Sequence, residues 1–276
     1  AVPARLLTEF VTSLQPGLMS MELSNATKQL ELSSSRVTAK LTGQSADDFP
    51  VTPNLEEGIR LEIPAEKLRL CIERVSFAAA TDDARPVLTG IHTALSNKEM
   101  TMAAADGFRL AVQKIDLSET IDQNVDLIIP ARSLREVDRL LAEQEDPVSI
   151  MISPAKNQIL FRLKETEIIS QLLQGTFPNY NQLIPESYQT KATLEVSDFL
   201  RATRTAAVFA RDGNGIVRLY VNPGEGDQTG TVRLTARSDE VGENEVDIDA
   251  IIEGEESKIA FNSRYLVDVL SSLNGK

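Results

Sequence analysis

The sequence predicts an α+β fold made of repeated domains, each with two helices backed by antiparallel sheet. The main observation is a helix pattern that occurs three times without a gap, starting near Arg5, Arg132 and Arg264. In each copy, apolar residues follow the arginine at two, five and nine positions, which is the spacing of one face of an amphipathic helix. These apolar stripes are Leu7, Phe10 and Leu14, then Leu134, Val137 and Leu141, then Leu266, Val269 and Leu273.

A second helix type and a strand pattern repeat with the same period. Residues 65–69 with Phe77-Ala78 recur as residues 197–201 with Phe209-Ala210, an offset of 201 − 69 = 132 that equals 264 − 132 for the first helix type. Residues 19–32 and 148–161 each read as two short alternating strands around a turn. Each strand region is followed by Phe-Pro, at Phe49-Pro50 and Phe177-Pro178. The repeating unit is therefore a whole domain.

This repeat predicts the domain boundaries. A unit of about 130 residues is an ordinary domain size and too long for a solenoid repeat. We expect residues 1–56 to be the second half of a first domain, residues 57–188 to be a complete second domain, and residues 189–276 to be a third domain without its last strands.

Composition indicates a folded globular chain, with 276 residues of which 42% are hydrophobic and 25% charged. One cysteine, Cys71, excludes an internal disulfide, and no apolar run reaches the length of a membrane span. We therefore expect a cytoplasmic protein. The net charge of −13 argues at first against nucleic acid, but nine acids and no Lys or Arg fall within residues 238–257. Other surfaces can therefore be basic.

The polar faces of the repeated helices carry basic residues. Arg132, Arg135 and Arg139 share the face opposite the apolar stripe of their helix. One such face is usually only solvated, but its recurrence favours contact with phosphates, which carry no sequence information. The other candidate DNA-facing residues are Arg5, Lys67, Arg69, Arg74, Arg201 and Arg204.

Enzyme functions find little support in the sequence. No phosphate-binding glycine loop is present, and the single histidine, His92, lies in an alternating strand pattern. A metal-dependent nuclease could use the acids of residues 239–249, but Glu243, Glu245, Asp247 and Asp249 share one strand face with Val246 and Ile248 opposite. We see no complementary Lys or His and expect these acids to have no partner base or cation, so we predict a solvated strand, no cofactor, no metal and no catalytic residue. A repeated-domain scaffold that does not bind DNA remains a further alternative, which the basic helix faces disfavour.

Six motifs in register with the repeat resemble the bacterial sliding clamp family, the beta subunit of DNA polymerase III. They are residues 2–5 (VPAR), 104–111 (AADGFRLA), 129–132 (IPAR), 175–180 (GTFPNY), 217–220 (VRLY) and 261–262 (FN). The resemblance implies a processivity factor in which two full-length chains close head to tail into a ring around duplex DNA. It also implies partners, namely the replicative polymerase, the clamp loader and other proteins with clamp-binding motifs, and no membrane. The repeat pattern predicts that this chain has an incomplete first domain and an incomplete third domain. We therefore expect that it does not close that ring by itself.

The resemblance further implies a hydrophobic cleft for partner peptides between the second and third domains. Its residues would be Arg85, Leu88, Gly107, Phe108, Arg109, Leu110, Pro178, Gln182, Leu183, Asn262 and Tyr265. From the residues alone, Leu88, Leu110 and Leu183 fit core packing as well as they fit a cleft. The sequence departs from the family pattern at Ala105, at Gln182 and at Pro86-Val87.

Overall fold

The computed structural model describes residues 1–45, 47, 57–82, 84–210, 214–224, 229–238 and 242–273. The chain divides into two compact units, Ala1–Asn54 and Leu55–Lys276. Phe49-Pro50 and the first two acids of the acidic segment, Asp239 and Glu240, lie outside the described residues. No described helix is both long and apolar enough to cross a bilayer.

The first unit contains one helix and one small sheet. Helix α1 (Ala4–Ser13) is followed by β1 (Ser20–Ser24), β2 (Gln29–Ser34) and β3 (Val37–Thr42), which form an antiparallel sheet in that order. Leu32 and Leu41 are buried, whereas α1 has no buried residue. The stripe of Leu7, Phe10 and Leu14 is half-buried, so the predicted apolar face is present and only partly covered.

The second unit begins with a core made by two helices and two sheets. Strands β4 (Ile59–Ile63), β7 (Val148–Ile152), β8 (Gln158–Arg162) and β9 (Glu167–Gln171) form an antiparallel sheet in that order, and β5 (Gly90–Ala105) pairs with β6 (Leu110–Pro130). Helices α2 (Ala65–Val75) and α3 (Ala131–Leu141) pack on this core. Leu134, Val137 and Leu141 are buried, which confirms the apolar stripe predicted for α3.

A second core follows in the same unit. Its sheet has the order β10 (Thr190–Thr193), β13 (Gly242–Gly254), β12 (Gly230–Ser238), β11 (Ile216–Asn222) and β14 (Ser257–Asn262), with helices α4 (Val196–Ala210) and α5 (Ser263–Leu273). The stripe predicted for α5 is partly wrong, because Leu266 and Leu270 are buried while Leu273 is exposed. Leu270 lies one helical turn after Leu266 and so takes the core position instead.

The helices of the second unit form one continuous layer. Helix α2 packs against α3 and α5, and α5 packs against α4. Arg135 of α3 donates a hydrogen bond from Nη2 to the Ser76 carbonyl oxygen just after α2, at 3.0 Å. Helices α2 and α3 therefore lie side by side. The boundary between residues 188 and 189 stays a prediction, although the buried residues on either side fall into separate clusters.

Candidate functional site

Helix α3 presents the clearest basic face. Arg132, Arg135 and Arg139 are exposed, on the side of the helix away from its buried stripe. Arg132 has no ion pair with any acid that the structure describes. Arg139 is bound to Glu136 one turn earlier, and this contact raises the pKa of Arg139 and lowers the pKa of Glu136. Among the described residues, the guanidinium of Arg132 is therefore without an ion pair, that of Arg135 binds a carbonyl oxygen, and that of Arg139 binds a carboxylate.

Four other candidate cations are exposed but tethered locally. Lys67 donates from Nζ to the Asp116 carbonyl oxygen at 3.3 Å, and Arg204 donates to Ser271 Oγ at 3.4 Å. Arg201 pairs with Asp198 at 2.8 Å, and in the first unit Arg5 pairs with Glu9 at 2.7 Å. Exposed pairs of this kind contribute little stability, so phosphates can compete for these cations.

Arg69 occupies a different environment, between α2 and α3. It pairs with Glu73 at 3.0 Å and lies 3.8 Å from Asp138 of α3. Burial raises the pKa of Asp138, the nearby Glu73 carboxylate raises it further, and the Arg69 charge opposes both effects. Arg69 thus contacts both helices, and two carboxylates share its charge.

Arg74 lies in the last turn of α2. Its side chain is half-buried and donates from Nη1 to Gln113 Oε1 at 3.1 Å. It lines a groove together with residues of the partner cleft that the family resemblance implies. Its assignment as a DNA-facing residue stays a prediction.

The groove has a volume of about 480 Å³ and runs between the two cores of the second unit. One wall comes from the end of α2 and the start of β6, and the other comes from β14 and α5. Phe108 stands at its edge with 81% of its surface exposed. The groove brings together four predicted cleft residues, namely Phe108, Arg109, Leu110 and Tyr265. Their apolar neighbours in the groove include Phe77, Leu266 and Val269.

Arg109 joins the two walls. Its Nε lies 2.9 Å from Asp106 Oδ2, and its Nη1 lies 2.6 Å from Asp268 Oδ2 on α5. The guanidinium also lies over the ring of Tyr265 at 4.5 Å and near the ring of Phe77 at 5.6 Å. Burial lowers the pKa of Arg109, but hydrogen bonds to Asp268 and Asp106 outweigh it and the pKa is raised. Two carboxylates therefore neutralise this guanidinium.

Two further predicted residues are linked to the groove through Asp106. Arg85 donates from Nη2 to the Asp106 carbonyl oxygen at 2.7 Å and packs beside Gly107. Gly107 has φ +93°, a backbone conformation that strains any residue with a Cβ, so the turn favours glycine. A Cβ there would also lie 2.6 Å from Arg85 Nη1 and would shift the end of that side chain.

The remaining predicted cleft residues do not line this groove. Leu88 is buried in a small cluster with Ala80, Ile128 and Phe177. Pro178, Gln182 and Leu183 are exposed. The Oδ1 atom of Asn262 accepts a hydrogen bond from the Arg264 amide at the start of α5. The assignment of these five residues to a partner cleft stays a prediction.

Sequence reasoning did not identify Phe77, Asp106 and Asp268 as neighbours of the cleft. Asp106 directly precedes Gly107 in a matched motif, and Asp268 lies three residues after Tyr265 on the same helix face. The sequence therefore contains a signal for each of these two aspartates. The contact between Arg109 and Asp268, 159 residues apart, depends on how the two cores pack.

The acidic strand β13 corrects one prediction. Its acids are exposed, as predicted, but a complementary cation is present: Arg233 lies 2.9 Å from Glu245 and 2.7 Å from Asp247. The hydrogen bond from Arg233 lowers the pKa of Asp247. The prediction of no partner was wrong because Arg233 belongs to the adjacent strand, in register with Asp247.

No group of metal-ligating side chains occurs among the residues that the structure describes. His92 lies in β5, with its Nε2 atom 3.1 Å from Asp126 Oδ1 and its ring stacked on Phe177 at a centroid distance of 5.3 Å. His92 is therefore a strand residue packed against its neighbours, which agrees with the alternating strand pattern in the sequence.

Comparison with known proteins defines the class. Residues 62–179 match the family described as DNA polymerase III beta subunit, central domain, and residues 181–276 match its C-terminal domain. The beta sliding clamp of Bacillus subtilis (strain 168) is 32% identical over 277 residues, covering 99% of this chain and 70% of that protein. The beta sliding clamp of Staphylococcus aureus is 31% identical over 99% of this chain and 70% of its own length.

Solved structures agree. The DNA polymerase sliding clamp from Bacillus subtilis superposes with a TM-score of 0.86 at 32% identity, covering 99% of this chain and 70% of that one. The beta chain of DNA polymerase III from Streptococcus pneumoniae gives a TM-score of 0.83 at 30% identity, over 99% and 70% of the two chains. The fold is that of a DNA clamp.

The chain belongs to the DNA polymerase III beta subunit family, the bacterial sliding clamps. The α+β clamp fold predicted from the repeats is confirmed. So is its function as a DNA sliding clamp of the replicative polymerase, a processivity factor and not an enzyme.

Proposed function

We propose that the helix layer of the second unit faces duplex DNA and contacts its phosphates without reading bases. The observation that carries this proposal is the exposed row of Arg132, Arg135 and Arg139 on α3. Helices α2, α5 and α4 extend that layer and add Lys67, Arg201 and Arg204 at their exposed positions.

Charge distribution supports this orientation. The acids of β13 lie on the exposed face of the sheet, while its alternate residues such as Ile248 and Ala250 are buried. The exposed acids of the sheet would repel DNA, whereas the exposed arginines of α3 would attract it. Contacts to phosphate alone leave affinity weak and salt-dependent, which lets a clamp slide.

The groove between the two cores is our proposed site for short peptide segments of partner proteins, among them the replicative polymerase and the clamp loader. It is apolar along Phe77, Tyr265 and Val269 and has a volume within the range of known ligand sites. Phe108 at the edge gives an aromatic surface for an incoming side chain. We also propose that two full-length subunits close the ring and that the protein acts in the cytoplasm, on the chromosome during replication.

The test of DNA binding uses two duplexes of equal length and unrelated sequence, titrated with the protein at several salt concentrations. We expect equal affinities for both duplexes and a linear fall of log K with log salt concentration. A clear preference for one duplex, or an affinity independent of salt, would exclude sequence-independent phosphate contacts. Ring closure is tested separately, by comparing retention of full-length subunits on closed circular DNA and on the same DNA after linearisation.

A further inference from the structure

The groove between the two cores contains two arginines in opposite electrostatic states. Arg109 is bound by Asp106 and Asp268, and only 19% of its side chain is exposed. Arg74 lines the same groove and has no ion pair with any acid among the described residues. The resemblance to the family draws attention to Arg109, but Arg74 is the one with an unneutralised charge.

The surroundings of Arg74 hold it in place without neutralising it. Its described hydrogen-bond partner is the neutral Gln113, whose Oε1 accepts from Nη1 at 3.1 Å. Gln113 is fixed in turn, since its Nε2 donates to the Lys114 carbonyl oxygen at 2.7 Å. The Nε atom of Arg74 is buried and has no hydrogen-bond partner. A half-buried guanidinium with unused donors attracts an anion more strongly than the same group in water.

We propose that Arg74 selects partner peptides that place an aspartate or glutamate side chain in the groove, next to apolar side chains. This inference rests on the proposed peptide-binding function of the groove and adds a residue that determines its specificity. A guanidinium presents paired N–H donors that fit a carboxylate. The apolar walls formed by Phe77, Tyr265 and Val269 would hold the neighbouring apolar side chains of the same peptide.

The composition of the groove favours a peptide over a nucleic acid. Most of its lining is aromatic or aliphatic, and the charge of Arg109 is already matched by two carboxylates. A phosphate backbone would bring several charges to a surface with one free cation among its described residues. A single carboxylate flanked by apolar groups matches both the charge and the lining.

The experiment uses end-blocked, fluorescently labelled pentapeptides that contain two leucines and one phenylalanine. Three matched pairs carry either Asp or Asn at the second, third or fourth position, and fluorescence anisotropy gives the affinity of each. We expect the protein to bind at least one Asp peptide more tightly than its Asn counterpart by about tenfold or more, since tenfold is near the lower end of the range for a hydrogen bond to a charged group. In Arg74→Gln this preference should fall to about one, and Arg74→Lys should retain part of it.

Two variants serve as controls. Arg162→Gln removes one positive charge from an exposed sheet position, where Arg162 pairs with Glu167 at 2.6 Å, and should leave the preference intact. Phe108→Ala should weaken the Asp and Asn peptides equally, because the ring contributes apolar surface and no charge. Circular dichroism checks that each variant is folded.

The outcomes separate this inference from the function on which it rests. If no peptide binds the wild-type protein, the groove is not a peptide site and both proposals fail. If peptides bind but Asp and Asn forms are equal, or if Arg74→Gln keeps the preference or weakens both forms alike, the groove stands and the role of Arg74 is overturned. A loss of duplex DNA affinity in Arg74→Gln with unchanged peptide preference would instead assign Arg74 to DNA.

Discussion

The ion pair between Arg109 and Asp268 should hold α5 against the first core of the second unit. Its side chains are 19% and 30% exposed, and the two atoms are 2.6 Å apart. Hydrogen bonds between charged groups contribute about 1.5 to 3 kcal/mol, and breaking a fully buried pair costs about 3 to 5 kcal/mol. Because this pair is partly exposed and Arg109 keeps Asp106, we expect Asp268→Ala to cost about 2 kcal/mol.

Hydrogen exchange of the amides in α5 measures this directly, since local opening free energies set exchange rates. A loss of about 2 kcal/mol corresponds to roughly thirtyfold faster exchange. Arg109→Leu should accelerate exchange further, because it leaves Asp106 and Asp268 without their shared cation. The control is Glu253→Ala, which breaks an exposed pair with Lys191 and should change exchange in α5 less than about twofold. Equal acceleration by Asp268→Ala and the control would refute the reasoning.

Three further predictions follow from the same structure. Asp138→Asn should stabilise the protein at neutral pH, because burial and Glu73 raise the pKa of Asp138 and the charged form is penalised in the folded state. The gain should vanish as the pH falls below the unfolded pKa, and urea unfolding at several pH values measures it; a gain that persists in acid would exclude this cause. The purified protein with magnesium or manganese should not cleave DNA, and turnover abolished by Asp247→Asn would contradict the account. Gly107→Ala should reduce the affinity for groove peptides without lowering that for duplex DNA, because a Cβ would displace Arg85; peptide and DNA titrations of the same variant test this, and equal losses would point to general unfolding.

Much of the fold could be predicted from periodicity alone. The three-fold helix repeat and the alternating strands identify elements because core faces impose their period on the sequence, and α3 follows its predicted stripe at every position. The stripe of α5 is wrong at its end, since Leu270 and Leu273 both fit a helical face and only packing decides between them.

The site was less predictable, because its contacts join distant segments. Arg74 belongs to a helix that carries other cations, and its sequence does not reveal that Gln113 of β6 binds it within the groove. Arg233 lies outside the acidic segment of the sequence, so that segment alone does not show that Arg233 pairs with its acids. The pairing between strands β12 and β13 brings them together. Local patterns predict faces of elements, whereas pairing between elements depends on tertiary packing.

The orientation of the helix layer toward DNA is the central claim, and two triple variants of equal charge change test it most directly. One replaces Arg132, Arg135 and Arg139 of α3 by alanine, and the other replaces the exposed sheet residues Arg60, Arg162 and Arg218. The measurement is the slope of log K against log salt concentration for a linear duplex. The account predicts that the helix variant lowers the slope by up to about 2.7, from about 0.9 for each lost phosphate contact, while the sheet variant leaves it nearly unchanged. Equal slopes in the two variants, or a larger change in the sheet variant, would contradict it.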